Sequence, residues 1–219
     1  MAFFRIACLV CLIIITTPAF AAPYFDATSI APTIIDPPLA KNSASWKQEI
    51  TDIIALQKNA DPEAIAAAEK ERIMQPEMIA ETAGLSRESH PALYTLLSRV
   101  GDTSRDVSDQ AKDYWNTQRP YLSDPRVKAL IDAHDNPAYP SGHTTGCYVW
   151  AYVMSMLLPE KREQFMARAE TTAQHRVLVG MHYPHDLKGG KQLALLIVGG
   201  LLQNKDFQND LAKARQELQ

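Results

Sequence analysis

Residues 140–159 read PSGHTTGCYVWAYVMSMLLP, and the fold turns on this stretch. Proline sets the entry, Ser141 can cap a helix, and from Cys147 to Leu158 the chain is almost continuously apolar. Such a run reads as a helix buried inside a protein, with other elements around it. Its strongly apolar part, Tyr148 to Leu158, is about ten residues and too short to span a bilayer. Leu193 to Leu202 has the same length and the same reading.

Working outward, helical periods continue on both sides. Residues 162–179 and 184–203 are the strongest neighbouring helices, and Phe207 to Leu218 closes the chain. Upstream, Trp46, Ile50, Ile53, Ile54 and Leu56 form one apolar stripe, and Asp61-Pro62-Glu63 opens an alanine-rich helix to Met74. Pro91 to Val100 is a further helix, and Val107 to Gln118 another that Arg119-Pro120 stops. Tyr121 to Tyr139 is mostly loop, with a short turn at residues 127–131. The expected architecture is all-α: a single-domain helical bundle over residues 45–219, preceded by a Pro/Thr/Ala-rich extended arm over residues 22–44 that packs late or stays mobile.

Residues 1–21 read as a signal peptide. Arg5 is the charged start, Ile6 to Ile15 the apolar core, and Ala19-Phe20-Ala21 the cleavage site, near Ala21-Ala22. The expected destination is the periplasm or the exterior. Cys8 and Cys11 leave with the leader, so Cys147 has no intrachain disulfide partner. The 219 residues suffice for one domain with a sizeable core. A net charge of −3 offers no basic field, which argues against nucleic-acid binding. No membrane span is expected in the mature chain, and nothing in the sequence sets an oligomeric state.

Three segments carry chemistry. Lys112 and Arg119 are seven apart, two turns of a helix, and so expected on one face. They could form a solvated face or clamp an anion. Pro140-Ser141-Gly142-His143 starts a helix whose first turn favours an anion, with glycine allowing close approach. It could also be an ordinary serine cap beside an exposed histidine. In Arg176-x5-His182-x3-Asp186, a carboxylate four residues on can accept the His182 Nδ1–H and leave Nε2 as a base. That pair could equally be structural. Zinc is a further reading, on His175, His182, His185 and Asp186, but no HExxH motif or cysteine ligand accompanies them.

Lys-x6-Arg-Pro, Pro-Ser-Gly-His and Arg-x5-His-x3-Asp, in this order, resemble the three-part signature of the type 2 phosphatidic acid phosphatase superfamily. The likeness runs from about Ala111 to Asp186, and bacterial class A nonspecific acid phosphatases are its nearest match in type. The resemblance implies a bundle of the kind shared with vanadium haloperoxidases, and an exported acid phosphatase that needs no metal or other cofactor. It implies that Lys112, Arg119, Ser141, Gly142 and Arg176 bind phosphate. His182 is then the nucleophile that becomes phosphohistidine, Asp186 its orienting partner, and His143 the acid and base. Small phosphomonoesters are the implied substrates. His175 stands where the family usually has serine; it either binds phosphate itself, which is the favoured expectation, or turns into the helix packing. The rival readings are a lipid-phosphate phosphatase, a vanadate-dependent haloperoxidase and, from another class, a catalytically silent phosphate-binding protein.

Overall fold

The computed structural model describes residues 22–133 and 135–219. The leader reading, with Cys8 and Cys11, lies outside the described residues. Among those described, the chain forms α-helices and short 3-10 turns and no strand. The helices are α1 (Ala44–Lys58), α2 (Pro62–Lys70), α3 (Glu77–Ala80), α4 (Pro91–Trp115), α5 (Pro120–Ser123), α6 (Gly142–Leu157), α7 (Arg162–Leu178), α8 (Pro184–Gln203) and α9 (Lys205–Glu217).

The apolar stretch is α6, and it is the centre of the bundle. It packs against α4, α7 and α8, and residues on all its sides are buried, among them Val149, Trp150, Val153 and Met154. Ser141 caps it, its hydroxyl accepting from the Thr144 amide at 3.3 Å. Two glycines let neighbouring helices approach it closely. A Cβ on Gly101 of α4 would lie 2.8 Å from the Trp150 ring, and one on Gly190 of α8 would lie 2.8 Å from the Ser141 carbonyl. α8 therefore sits directly against the start of α6, and the Ser141 amide donates to the Asp186 carbonyl at 3.0 Å.

α1 lies outside this core and buries Trp46, Ile50 and Ile53 against Ala173, Val177, Tyr183 and Leu187. Residues 22–43 run along the body. Tyr24 is buried, with its amide on Thr103 Oγ1 (2.9 Å), its hydroxyl on Asp210 (3.0 Å) and the Arg99 guanidinium over its ring. Ile35 is buried as well. This segment is docked at Tyr24 and Ile35 and carries two short 3-10 turns between them, rather than being loosely extended.

Two local expectations are corrected. Residues 91–115 form one continuous helix rather than two. That helix ends at Trp115, where Asn116 takes a left-handed conformation (φ 42°) and its amide returns to the Lys112 carbonyl. Lys112 and Arg119 are therefore not on one helix face. Arg119 is the N-cap of α5, and Pro120 opens that short helix instead of closing a longer one.

Candidate active site

The last turn of α4, the start of α6 and the α7–α8 link converge on a cavity of about 420 Å³. Lys112, Arg119, Gly142, His143 and His182 line it, joined by Arg72, Met74, Arg105, Ser108, Asp109, Asp135 and Asn136. All three sequence segments thus meet at one place.

The α7–α8 link explains how. Gly180 adopts φ +75°, and a Cβ there would meet the Lys128 carbonyl, so the chain can reverse only with glycine. The Arg176 carbonyl then accepts from the amides of Met181 (3.0 Å) and His182 (3.1 Å). His182 is thereby held one turn below Arg176. Pro184 starts α8 and places Asp186 in its first turn, where Asp186 Oδ2 accepts from the Tyr183 amide (2.9 Å) and lies 3.1 Å from His182 Nδ1.

The tautomer of His182 follows from its partners. Arg119 can only donate, and its Nη1 lies 3.2 Å from His182 Nε2, so Nε2 accepts and Nδ1–H donates to Asp186. Burial keeps the ring neutral, and the cations of Arg119 and Lys112 add to that; its pKa lies well below the ordinary histidine range. Arg119 is fixed by further bonds to the Met181 carbonyl (2.8 Å), the Asn136 carbonyl (2.9 Å) and Asn136 Oδ1 (2.7 Å). Lys112 Nζ donates to the Pro137 carbonyl. Burial, with repulsion from Arg119, pushes its ammonium down to about 7. Burial raises the Asp186 carboxyl above the usual carboxylate range.

Arg176 is 1% exposed and does not line the cavity. Its Nη2 donates to the Ala68 carbonyl, while Nε and Nη1 are buried without a hydrogen-bond partner among the described residues. Its charge still acts on His182 and Arg119. Ser141 is fully buried and spends its hydroxyl on Thr144, so it serves the cap in this geometry.

His175 is the residue the structure sends elsewhere. It does not line the cavity; its Nδ1 lies 2.9 Å from Glu71 Oε2. Glu71, at the C-cap of α2, also pairs with Arg168 (2.8 Å), and its carbonyl accepts from His143 Nε2 (3.0 Å). His185 Nδ1 is likewise taken by Glu49 (2.6 Å). Among the described residues, no group of three histidine, cysteine or acidic side chains is arranged to hold a metal ion.

Sequence reasoning missed Glu71, Asn136, Glu49, Arg72 and Met74, which come from segments without a recognisable motif. Arg105, Ser108 and Asp109 could have been found. They lie seven, four and three residues before Lys112, on its own helix face.

The fold has solved counterparts. A bacterial vanadium-dependent iodoperoxidase superposes with a TM-score of 0.58 at 17% identity, over 75% of this chain and 52% of that one. A bacterial vanadium-dependent chloroperoxidase gives 0.59 at 12% identity, over 90% and 53%. At those identities the likeness concerns the helical fold. The PAP2 superfamily profile matches residues 92–209, more than half the chain, and the protein belongs to that superfamily.

Curated relatives include an acid phosphatase of Zymomonas mobilis subsp. mobilis, 29% identical over 133 residues, which are 59% of this chain and 50% of that protein. A non-specific acid phosphatase of Salmonella typhi is 28% identical over 185 residues, 81% of this chain and 68% of that protein. A non-specific acid phosphatase of Providencia stuartii is 28% identical, with 56% of its length covered. The match to the Zymomonas and Providencia proteins therefore spans only about half of their length.

Proposed function

We propose that this chain is an exported acid phosphatase that hydrolyses small phosphate monoesters through a phosphohistidine on His182. The observation that carries the reading is the state of His182: neutral, buried, Nδ1–H on Asp186, and the Nε2 lone pair beside the Arg119 guanidinium. A phosphoryl group bound by Arg119, Lys112 and the first-turn amides of α6 at Gly142 would meet that lone pair. Arg176, buried behind the cavity with two nitrogens unpartnered among the described residues, adds its positive charge to the site. Ser141 belongs to the same cradle through the backbone it holds. His175, turned toward Glu71, has no phosphate contact in this reading.

The chemistry balances in two steps. His182 Nε2 gives its electron pair to phosphorus, and the ester P–O bond breaks with its electrons on the leaving oxygen. His143 donates a proton to that oxygen. The imidazolium Nδ1–H formed on phosphorylation is stabilised by Asp186. Water then attacks phosphorus, His143 accepts its proton, and the P–N bond electrons return to His182. Because His143 Nε2 is committed to the Glu71 carbonyl, the travelling proton passes through Nδ1. Lys112 and Arg119, with the buried charge of Arg176 behind them, offset the charge on the equatorial oxygens, so no metal is required.

Export rests on the leader pattern of Arg5, Ile6 to Ile15 and Ala19-Phe20-Ala21. Against the lipid-phosphate reading, no described helix is long and apolar enough to cross a membrane. The deciding experiment is turnover of p-nitrophenyl phosphate with EDTA present. Turnover supports the reading. Activity that needs added metal overturns its metal-independent mechanism, and phosphate binding without turnover leaves only a phosphate-binding protein.

A further inference from the structure

Behind Asp186 stands a second titratable pair that the reaction above does not use. Asp186 Oδ2 is occupied by His182 and the Tyr183 amide, whereas Oδ1 is buried without a hydrogen-bond partner. His185 Nε2 lies 3.3 Å from Oδ1. The other nitrogen of that ring, Nδ1, lies 2.6 Å from Glu49 Oε2 on α1. His185 is itself wedged in place, its ring stacked on Tyr183 (5.1 Å between centroids) and on Tyr139 (5.9 Å). The order in space is therefore Glu49, His185, Asp186, His182, Arg119, with each neighbour between 2.6 and 3.3 Å from the next.

We infer that His185 is a positioning residue which, anchored by Glu49, keeps Asp186 ionised and aligned on His182. A fully buried carboxylate without a nearby cation tends to take up a proton. Once protonated, Asp186 no longer supports the charge that forms on His182 during phosphorylation. His185, set between the Glu49 and Asp186 carboxylates, is placed to oppose that loss. Other groups also face Asp186: Lys112 on α4, Arg119 ahead of α5, Tyr139 ahead of α6, His182 and Tyr183 on the α7–α8 link, and Glu49 on α1. Lys112 and Arg119 favour ionisation, while Glu49 acting directly opposes it. Among the described residues, His185 is the one histidine placed against the bare oxygen. Burial raises the Asp186 carboxyl, and the His185 charge is the largest influence pulling it back. α1 lies outside residues 92–209, so a helix beyond the matched stretch would reach the site through this pair.

The inference rests on the roles proposed for His182 and Asp186, and its test separates the two. His185→Phe keeps the ring stacking and removes both nitrogens. The pH profile of kcat/KM for p-nitrophenyl phosphate, from about pH 4 to about pH 8, is compared with wild type. The acid limb should move up by about one pH unit, a loss of about tenfold at the acid end that shrinks toward neutral pH. His185→Gln, equally unable to carry the charge, should show the same displacement and stands in if the phenylalanine variant does not fold. A profile of either folded variant that overlays wild type, or falls uniformly at every pH, overturns the inference. Turnover by wild type is the control for the functional reading. If wild type is inactive, a ¹³C-carboxyl titration still decides the matter, with the Asp186 resonance assigned through Asp186→Asn. The Asp186 midpoint should rise in His185→Phe, and an unchanged midpoint overturns the inference.

Discussion

His175 Nδ1 lies 2.9 Å from Glu71 Oε2, and the same glutamate holds His143 through its carbonyl. One residue at the end of α2 thus supports the third-segment helix by its side chain and the second-segment histidine by its backbone. Burial alone would raise the Glu71 carboxyl, but hydrogen bonds from His175 and Arg168 outweigh it and hold the group below the usual glutamate range. A lowered folded value means that its stabilisation is present above the ordinary glutamate pKa. It is lost as pH falls through the lower folded value.

His175→Ser should therefore act on stability more than on phosphate. Losing a partner of a buried carboxylate costs roughly 1–3 kcal/mol, enough to lower Tm by at least about 2–4 °C in a chain of this size. The deficit should be full above the glutamate range and shrink in acid, where Glu71 is protonated in both proteins. Inorganic phosphate affinity should stay within about twofold. Thermal melts across pH and phosphate titrations check this; a large affinity loss below the histidine pKa without a change in Tm would restore His175 to the phosphate cradle.

His182→Ala should remove turnover while leaving the fold intact. Loss of a nucleophile costs several orders of magnitude in kcat. Rapid quench of the wild type with labelled substrate should give an adduct that is labile in acid and stable in base, absent from the variant. Substantial activity in the variant, or an acid-stable adduct, contradicts the nucleophile assignment.

For His143→Ala, the informative quantity is a ratio. A proton donor matters most when the leaving alkoxide is basic. The variant should lose at least about tenfold more activity on an alkyl phosphate than on p-nitrophenyl phosphate. Equal losses on both substrates would reduce His143 to a binding role.

Lys112 makes phosphate binding a proton-linked event. Its ammonium is pushed down to about 7 by burial and by Arg119, so near neutral pH a sizeable fraction is uncharged. A bound dianion favours the charged form and raises that value. Lys112 should therefore take up protons when inorganic phosphate or orthovanadate binds near pH 7.5, offsetting those the ligand releases on binding as the dianion. Calorimetry in two buffers of different ionisation heat measures the net protons, and Lys112→Met should shift the balance toward release. An identical balance in the variant would show that another group supplies the linkage.

Much of this protein is legible one segment at a time. The burial of α6 follows from its unbroken apolar run, and α8 begins at Pro184 and ends at Gln203 as its proline start and apolar period imply. His182 and Asp186 pair because four residues across a helix start leave them little else to do. These are local relations, written in short stretches of chain. Where Arg119 points was not local. Asn116 turns left-handed and hands Arg119 to α5, and Asn136, from a loop, then fixes the guanidinium. The fate of His175 depends on Glu71, 104 residues earlier, and that of His185 on Glu49, 136 residues earlier. A buried polar side chain takes whichever partner packing brings within hydrogen-bond reach, since leaving it unpaired is costly. The residues that could do chemistry are set by the sequence; which of them face the cavity, and which are held by carboxylates behind it, is set by how α1 and α2 dock on α7 and α8.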